Sequence, residues 1–144
     1  MTTSNLSGRS PLELAFLHAQ SKGYRRVTLK VSGLVFSLAP AGGRNPNAIY
    51  VKRSGEYMGK IIDSMFYPAR DIEPTSEELI AIGKVMTEPK EAAINEGCKT
   101  GHCAICGRTL IAEDSVRFGI GPICAEKLGF SIPRASHANI LDDL

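Results

Sequence analysis

Residues 25–38, RRVTLKVSGLVFSL, alternate polar and apolar side chains. Successive side chains of a β-strand point to opposite faces, so the apolar positions from Val27 to Val31 share one face and the polar positions share the other. Ser32-Gly33 then permits a tight reversal into a second strand. This stretch predicts an antiparallel hairpin with one buried and one solvated face.

A second hairpin and three helices complete the predicted fold. Residues 48–62, AIYVKRSGEYMGKII, show similar alternation around a Ser-Gly turn, which makes the sheet a four-stranded antiparallel meander. The fold class is therefore α+β, with a packed N-terminal helix, two short helices and a C-terminal treble-clef-like zinc module. The predicted segments are a helix plus basic sheet over 1–70, a helical connector over 71–97, a zinc-knuckle module over 98–130 and a tail over 131–144.

Local signals mark the helix boundaries. Ser10 and Glu13 have the spacing of a capping box, which predicts a helix that begins at Pro11. TSEELIAIGKVM, residues 75–86, predicts a helix with a buried stripe. We expect this stripe to consist of Leu79, Ile82 and Met86. PKEAAINEG, residues 89–97, predicts a short helix that ends at its glycine.

Composition narrows the class of protein. The chain has 144 residues, of which 43% are hydrophobic, enough for one core and too few for two full domains. It has no apolar run of 18 residues, and its start, MTTSNLSGRS, lacks the features of a secretory signal. We therefore expect a soluble intracellular protein, in which clustered cysteines are metal ligands or redox groups more often than disulfides.

Charge is distributed unevenly along the chain. Residues 1–70 hold 10 Lys or Arg and 3 Asp or Glu, a net +7, whereas residues 71–144 hold 7 and 12, a net −5, which together give +2. This polarity places any contact with nucleic acid in the first half. The alternative is that the two halves neutralise each other within the fold.

All four cysteines lie within residues 98–124. Cys103 and Cys106 form a CxxC motif followed by Gly-Arg, the pattern of a zinc knuckle, and Pro122 is well placed to start a helix that carries Cys124. We expect these three thiolates to bind a structural Zn²⁺. A redox role is disfavoured because no strand and helix of the required kind precede the motif, and plain buried cysteines are the remaining alternative.

A structural zinc site needs a fourth ligand. A full treble clef would supply a cysteine three residues after Cys124, where this chain has Lys127. Cys98 is the first candidate. The alternatives are His102, which directly adjoins the knuckle, and His137, which lies in the predicted tail.

The cysteine segment resembles a family of small, mostly uncharacterised tailed-bacteriophage proteins. Their C-terminal module reads CxxCGRxL, then a serine, then GxGPxC, and the segments IYVKRSGEYMGKI and EPKEAAINEG resemble the region before it. The matching positions here are Cys103, Cys106, Gly107, Arg108, Leu110, Ser115, Gly119, Gly121, Pro122 and Cys124. The resemblance implies a phage protein that works in the cytoplasm of the infected bacterial host, and it implies no reaction.

The polar face of the predicted sheet is basic. It would collect Arg26, Lys30, Lys52 and Lys60, with Thr28, Tyr50 and Met58 between them, and Arg25, Arg44 and Arg53 in flanking loops would extend it. Cations can hold phosphates and a base can stack on Tyr50, so this face predicts binding of single-stranded nucleic acid without sequence preference. Tyr57 is expected in the core by alternation.

The sequence also allows functions other than nucleic-acid binding. The basic face could simply be a solvated strand face, and the acidic second half could serve a host-takeover adaptor that binds a bacterial protein. Exposed edge strands also allow a homodimer. Enzymatic chemistry is not expected, because the chain has no Walker-type loop; the loose acidic group of Asp63, Asp71 and Glu73 leaves a metal-dependent nuclease as a minor alternative.

Overall fold

The structure is a computed structural model that describes residues 9–24, 27–40, 43, 47–110, 120 and 122–130. Its elements in chain order are α1 (Pro11–Ser21), β1 (Thr28–Val31), β2 (Leu34–Leu38), β3 (Ile49–Arg53), β4 (Glu56–Ile62), β5 (Met65–Pro68), α2 (Ser76–Thr87), α3 (Pro89–Thr100) and α4 (Pro122–Lys127). The predicted α+β class is confirmed. No described helix is long and apolar enough to cross a bilayer.

The sheet has five antiparallel strands in the order β1-β2-β3-β4-β5, one more than the predicted meander. Three of its connections are two-residue turns in which both residues have positive φ, as type I′ turns require. The first two are the expected Ser-Gly pairs. The third is Asp63-Ser64, with φ of 48° and 68°. Because this turn contains no glycine, the sequence pattern does not indicate it, and β5 is absent from the predicted sheet.

One buried carboxylate explains how this third turn is held. The backbone N–H groups of Asp63 and Ser64 donate to the two oxygens of Glu13, each at 2.8 Å. The same carboxylate accepts the backbone N–H of Ser10 at 2.9 Å and its hydroxyl at 2.8 Å, within the predicted capping box. Glu13 is 2% exposed. It thus joins the start of α1 to a turn 50 residues away.

A β-bulge in β4 reverses two predicted side-chain orientations. Val51 pairs with Gly59 while Lys52 pairs with Tyr57, so Met58 is the extra residue. Because the bulge shifts the alternation by one position, Met58 is fully buried and Tyr57 is 42% exposed, the opposite of the prediction for each. A Cβ on Gly59 would lie 2.6 Å from the ring of Phe66, which explains the glycine beside the bulge.

The helices cover one face of the sheet and share a single core with the cysteine segment. In α2 the buried residues are Ile82 and Val85, whereas Leu79, expected in the core, is 48% exposed. Helix α3 continues beyond its expected end at Gly97, which is buried within the helix. It stops instead at Gly101, whose φ is 80°. A glycine inside a helix is tolerated where close packing favours it.

Candidate metal centre and outer sheet face

Three thiols converge where the cysteine segment meets α4. Cys103 and Cys106 come from the knuckle and Cys124 from the helix, and their sulfur atoms all lie within 4.8 Å of one another. A tetrahedral zinc ion bound at about 2.3 Å by each sulfur places the sulfurs roughly 3.8 Å apart. The three thiols are thus within ligand distance of one metal ion, as predicted.

The backbone of the knuckle curls around the first sulfur. The N–H of Cys103 donates to the carbonyl of Arg108 at 2.9 Å, and the N–H of Gly107 donates to the carbonyl of Cys103 at 2.8 Å. The N–H of Ile105 donates to the Cys103 sulfur at 3.5 Å. Gly107 has φ of 79°, a conformation that strains other residues. The CxxCG spacing therefore predicts this local geometry.

Crowding of the thiols raises the cost of ionising Cys124. A hydrogen bond with the Cys103 thiol, followed by burial and the charge of the neighbouring sulfurs, raises the pKa of Cys124 far above its ordinary value. Thiolates this close together repel one another, and a bound cation offsets that repulsion. The donor set therefore suits a thiophilic metal ion such as zinc.

The two candidate fourth ligands that the structure describes, Cys98 and His102, do not join this group. Among the described residues the group contains Cys103, Cys106 and Cys124 and neither Cys98 nor His102. Cys98 lies on the exposed side of α3, because the helix continues beyond Gly97. The ring of the exposed His102 lies 3.5 Å from the hydroxyl of Thr109. His137 lies outside the described residues.

The knuckle docks on the free edge of the sheet, a contact that the sequence did not indicate. The backbone N–H of Lys30 in β1 donates to the carbonyl of Ala104 at 2.7 Å. The hydroxyl of Thr28 donates to the carbonyl of Ile105 at 3.4 Å. Ala104 and Ile105 are buried. The knuckle therefore packs against the edge strand β1.

Residues 93–129 match a family of unknown function, DUF6011. The match begins inside α3 and ends after α4, so it spans all three thiols of the metal group. Neither a curated protein nor a solved structure matches the chain. The DUF6011 match therefore coincides with the cysteine segment, and the sheet lies outside it.

The strand register defines two cross-strand rows on the face opposite the helices. We call these rows the outer sheet face. The first row is Thr28, Ser37, Tyr50, Lys60 and Tyr67, and the second is Lys30, Val35, Lys52 and Tyr57. Lys30, Tyr50, Lys52 and Lys60 thus share one face, as predicted.

Two tyrosines join this face that the sequence prediction omitted. Tyr57, turned outward by the bulge, packs edge-on against Tyr50 with ring centroids 5.6 Å apart. Partial burial, together with the neighbouring Tyr50, raises the pKa of Tyr57. Tyr67, on the missed strand β5, is 46% exposed beside Lys60. The outer sheet face is therefore more aromatic than the sequence indicated.

The remaining predicted cations do not extend this face within the described residues. Arg25, Arg26 and Arg44 lie outside them. The guanidinium of Arg53 forms two hydrogen bonds to the carboxylate of Glu78, at 2.6 and 2.7 Å. It is thus engaged with the start of α2. Within the described part of the chain, Asp63, Asp71 and Glu73 belong to no metal-binding group of the kind that the thiols form.

The Arg53–Glu78 ion pair predicts an acid-dependent loss of stability. Hydrogen bonds from Arg53 hold the pKa of Glu78 at about 2, below the ordinary 4.5. Because the folded pKa is the lower one, the stabilisation is complete above pH 4.5 and is lost as the pH falls towards 2. In urea titrations across this range, the stability advantage of the wild type over Glu78→Gln should shrink. Glu77→Gln, a change in the same helical turn, is the control and should retain the wild-type pH dependence.

Proposed function

We propose that the protein binds single-stranded nucleic acid, without sequence preference, through the outer sheet face. The observation that carries this proposal is the pair of cross-strand rows, which bring three tyrosines and three lysines from β1, β3, β4 and β5 onto one face. Lysine ammonium groups pair with phosphates, and tyrosine rings stack with bases of any identity. The net +7 of residues 1–70 supports a polyanionic ligand.

The proposal assigns the three thiols to a structural Zn²⁺ ion. Cys103 and Cys124 are 3% and 7% exposed, and neighbouring side chains belong to the shared core. Buried thiolates that hold two separate segments together are typical of a structural site. The protein is then a non-enzymatic binder. Its resemblance to phage proteins supports a place of action in the cytoplasm of an infected bacterium.

Charge and stacking on the outer sheet face can be tested separately. We expect the double variant Lys52→Gln with Lys60→Gln to bind a fluorescent oligothymidine more weakly than the wild type does. The magnitude of the slope of log K against log salt should fall by about 1.4, since each phosphate contact contributes about 0.7 for single strands. Tyr67→Ala should cost about 1–3 kcal/mol of binding free energy if a base stacks there, whereas Tyr67→Phe should bind as the wild type does.

Two results would contradict the proposal. One is a wild-type protein that shows no affinity for the oligonucleotide at low salt. The other is an affinity that survives both the lysine and the tyrosine changes, because binding would then lie elsewhere. Oligouridine run in parallel distinguishes RNA from DNA, which share the chemistry that this face recognises.

An adaptor that binds a bacterial protein is the second candidate. Leu79 and Ile80 on α2 are 48% and 60% exposed. Ile80 lines a groove between α2 and α3 whose charged lining has four glutamates and two lysines: Glu77, Glu88, Glu91, Glu96, Lys84 and Lys99. Exposed apolar side chains with an acidic rim suit a basic amphipathic partner. Binding to such a partner would survive Lys52→Gln and be lost on Ile80→Asp, which separates the two functions.

A further inference from the structure

We propose that the cysteine segment forms the end of the nucleic-acid track, so that metal binding and nucleic-acid binding are thermodynamically coupled. This inference rests on the proposed function of the outer sheet face. The single strand would cross the sheet from β5 to β1 and continue onto the knuckle. Lys30 and Arg108 would contact phosphates at that end.

Two hydrogen bonds join the edge of the sheet to the knuckle. Thr28 and Lys30 end the two cross-strand rows, and both bond to knuckle carbonyls, those of Ile105 and Ala104. The knuckle therefore lies where a sixth strand would lie. A ligand that follows either row across β1 meets the knuckle next, without leaving the surface.

Positive charge lies where β1 meets the knuckle. The position that a Cβ would occupy on Gly107 is 3.5 Å from the Lys30 ammonium nitrogen, so this lysine lies against the knuckle. Arg108 follows and is exposed. Lys30 thus stands at the end of the second row, and the exposed Arg108 is the next residue after Gly107 on the knuckle, where a phosphate backbone would pass.

A cavity lies beside Thr28, the last residue of the first row. It has a volume of about 420 Å³ and is lined by Thr28, Tyr24, Lys127 and the thiols Cys106 and Cys124. The Lys127 ammonium lies 5.1 Å from the ring centroid of Tyr24, which is 41% exposed. An aromatic ring and a cation beside the last residue of the row suit a terminal base and its phosphate.

Coupling follows because the metal holds this end in place. It would join Cys103 and Cys106 of the knuckle to Cys124 of α4, so its loss would weaken the contacts of the knuckle with Lys30 and Thr28. If the metal favours nucleic-acid binding, nucleic acid must favour metal binding by the same factor. Oligonucleotide should therefore slow the transfer of zinc from the protein to a chelator.

The test compares two double variants of the zinc-loaded full chain. Lys30→Gln with Arg108→Gln should lower the salt slope of oligothymidine binding by about 1.4, the contribution of two phosphates. Lys84→Gln with Lys99→Gln removes the same charge from the groove between α2 and α3 and should retain the wild-type slope. Zinc content and far-UV circular dichroism show that each variant is folded, and Arg108→Gln alone serves if the double variant is not.

Zinc release measures the coupling independently. Oligothymidine should slow the loss of zinc to a colorimetric chelator in the wild type, and this protection should be reduced in the Lys30/Arg108 variant. The inference is overturned if the Lys30/Arg108 variant keeps the wild-type salt slope and the wild-type protection against zinc loss. If Lys52→Gln with Lys60→Gln lowers the slope in the same experiment, the proposed function of the outer sheet face still stands. Absence of oligonucleotide binding by the wild type would overturn both.

Discussion

Replacing Cys103 with serine is expected to abolish stoichiometric metal binding and to lower the melting temperature by about 10 °C or more. Structural zinc sites contribute roughly 10–16 kcal/mol of apparent binding free energy at pH 7, and about 1 kcal/mol corresponds to about 2–4 °C in a chain of this size. The effect extends beyond the knuckle because Ile105, Ile120 and Leu128 belong to the shared core. Elemental analysis and thermal circular dichroism measure the two quantities.

Cys98→Ser is the matched control for this experiment. It removes a thiol from the same segment, but Cys98 is exposed on α3 and lies outside the metal group of the described residues. We expect wild-type metal content and wild-type melting. Loss of metal in the control would make Cys98 a ligand and contradict the geometry. Unchanged melting of Cys103→Ser would contradict the structural role of the metal.

Glu13→Ala is expected to destabilise the fold by about 3–5 kcal/mol, although the residue is far from the metal. The change removes the acceptor of three backbone N–H groups, that of the buried Ser10 and those of Asp63 and Ser64 in the exposed turn, and a hydrogen bond to a charged group contributes about 1.5–3 kcal/mol. Glu13→Gln keeps one oxygen and should cost less, about 1–3 kcal/mol. Urea denaturation monitored by circular dichroism gives these values.

Glu91→Ala provides the control for helix-terminal charge. Glu91 also lies in the first turn of a helix, but it is exposed, so its removal should cost no more than about 1 kcal/mol. If Glu13→Ala were no more destabilising than this control, the carboxylate would act only as a helix cap. Its link to the β4–β5 turn would then contribute nothing to stability.

Sequence patterns predicted the features that depend on neighbours along the chain. Alternation and the two Ser-Gly pairs indicated the first two hairpins. The spacing of Ser10 and Glu13 indicated a capping box, and CxxCG indicated a knuckle. In each case the interacting groups lie within a few residues, so the local conformational preferences of glycine, proline and short polar side chains decide the geometry.

The sequence by itself thus determined an α+β chain with hairpins, capped helices and a three-cysteine metal group. Only the tertiary structure decided that Glu13 holds the Asp63-Ser64 turn, that a bulge turns Tyr57 outward, and that the knuckle extends the edge of β1. It also decided that α3 continues past Gly97, which leaves Cys98 outside the metal group. These features depend on hydrogen bonds and packing between residues far apart in the chain, and such contacts override the local signals.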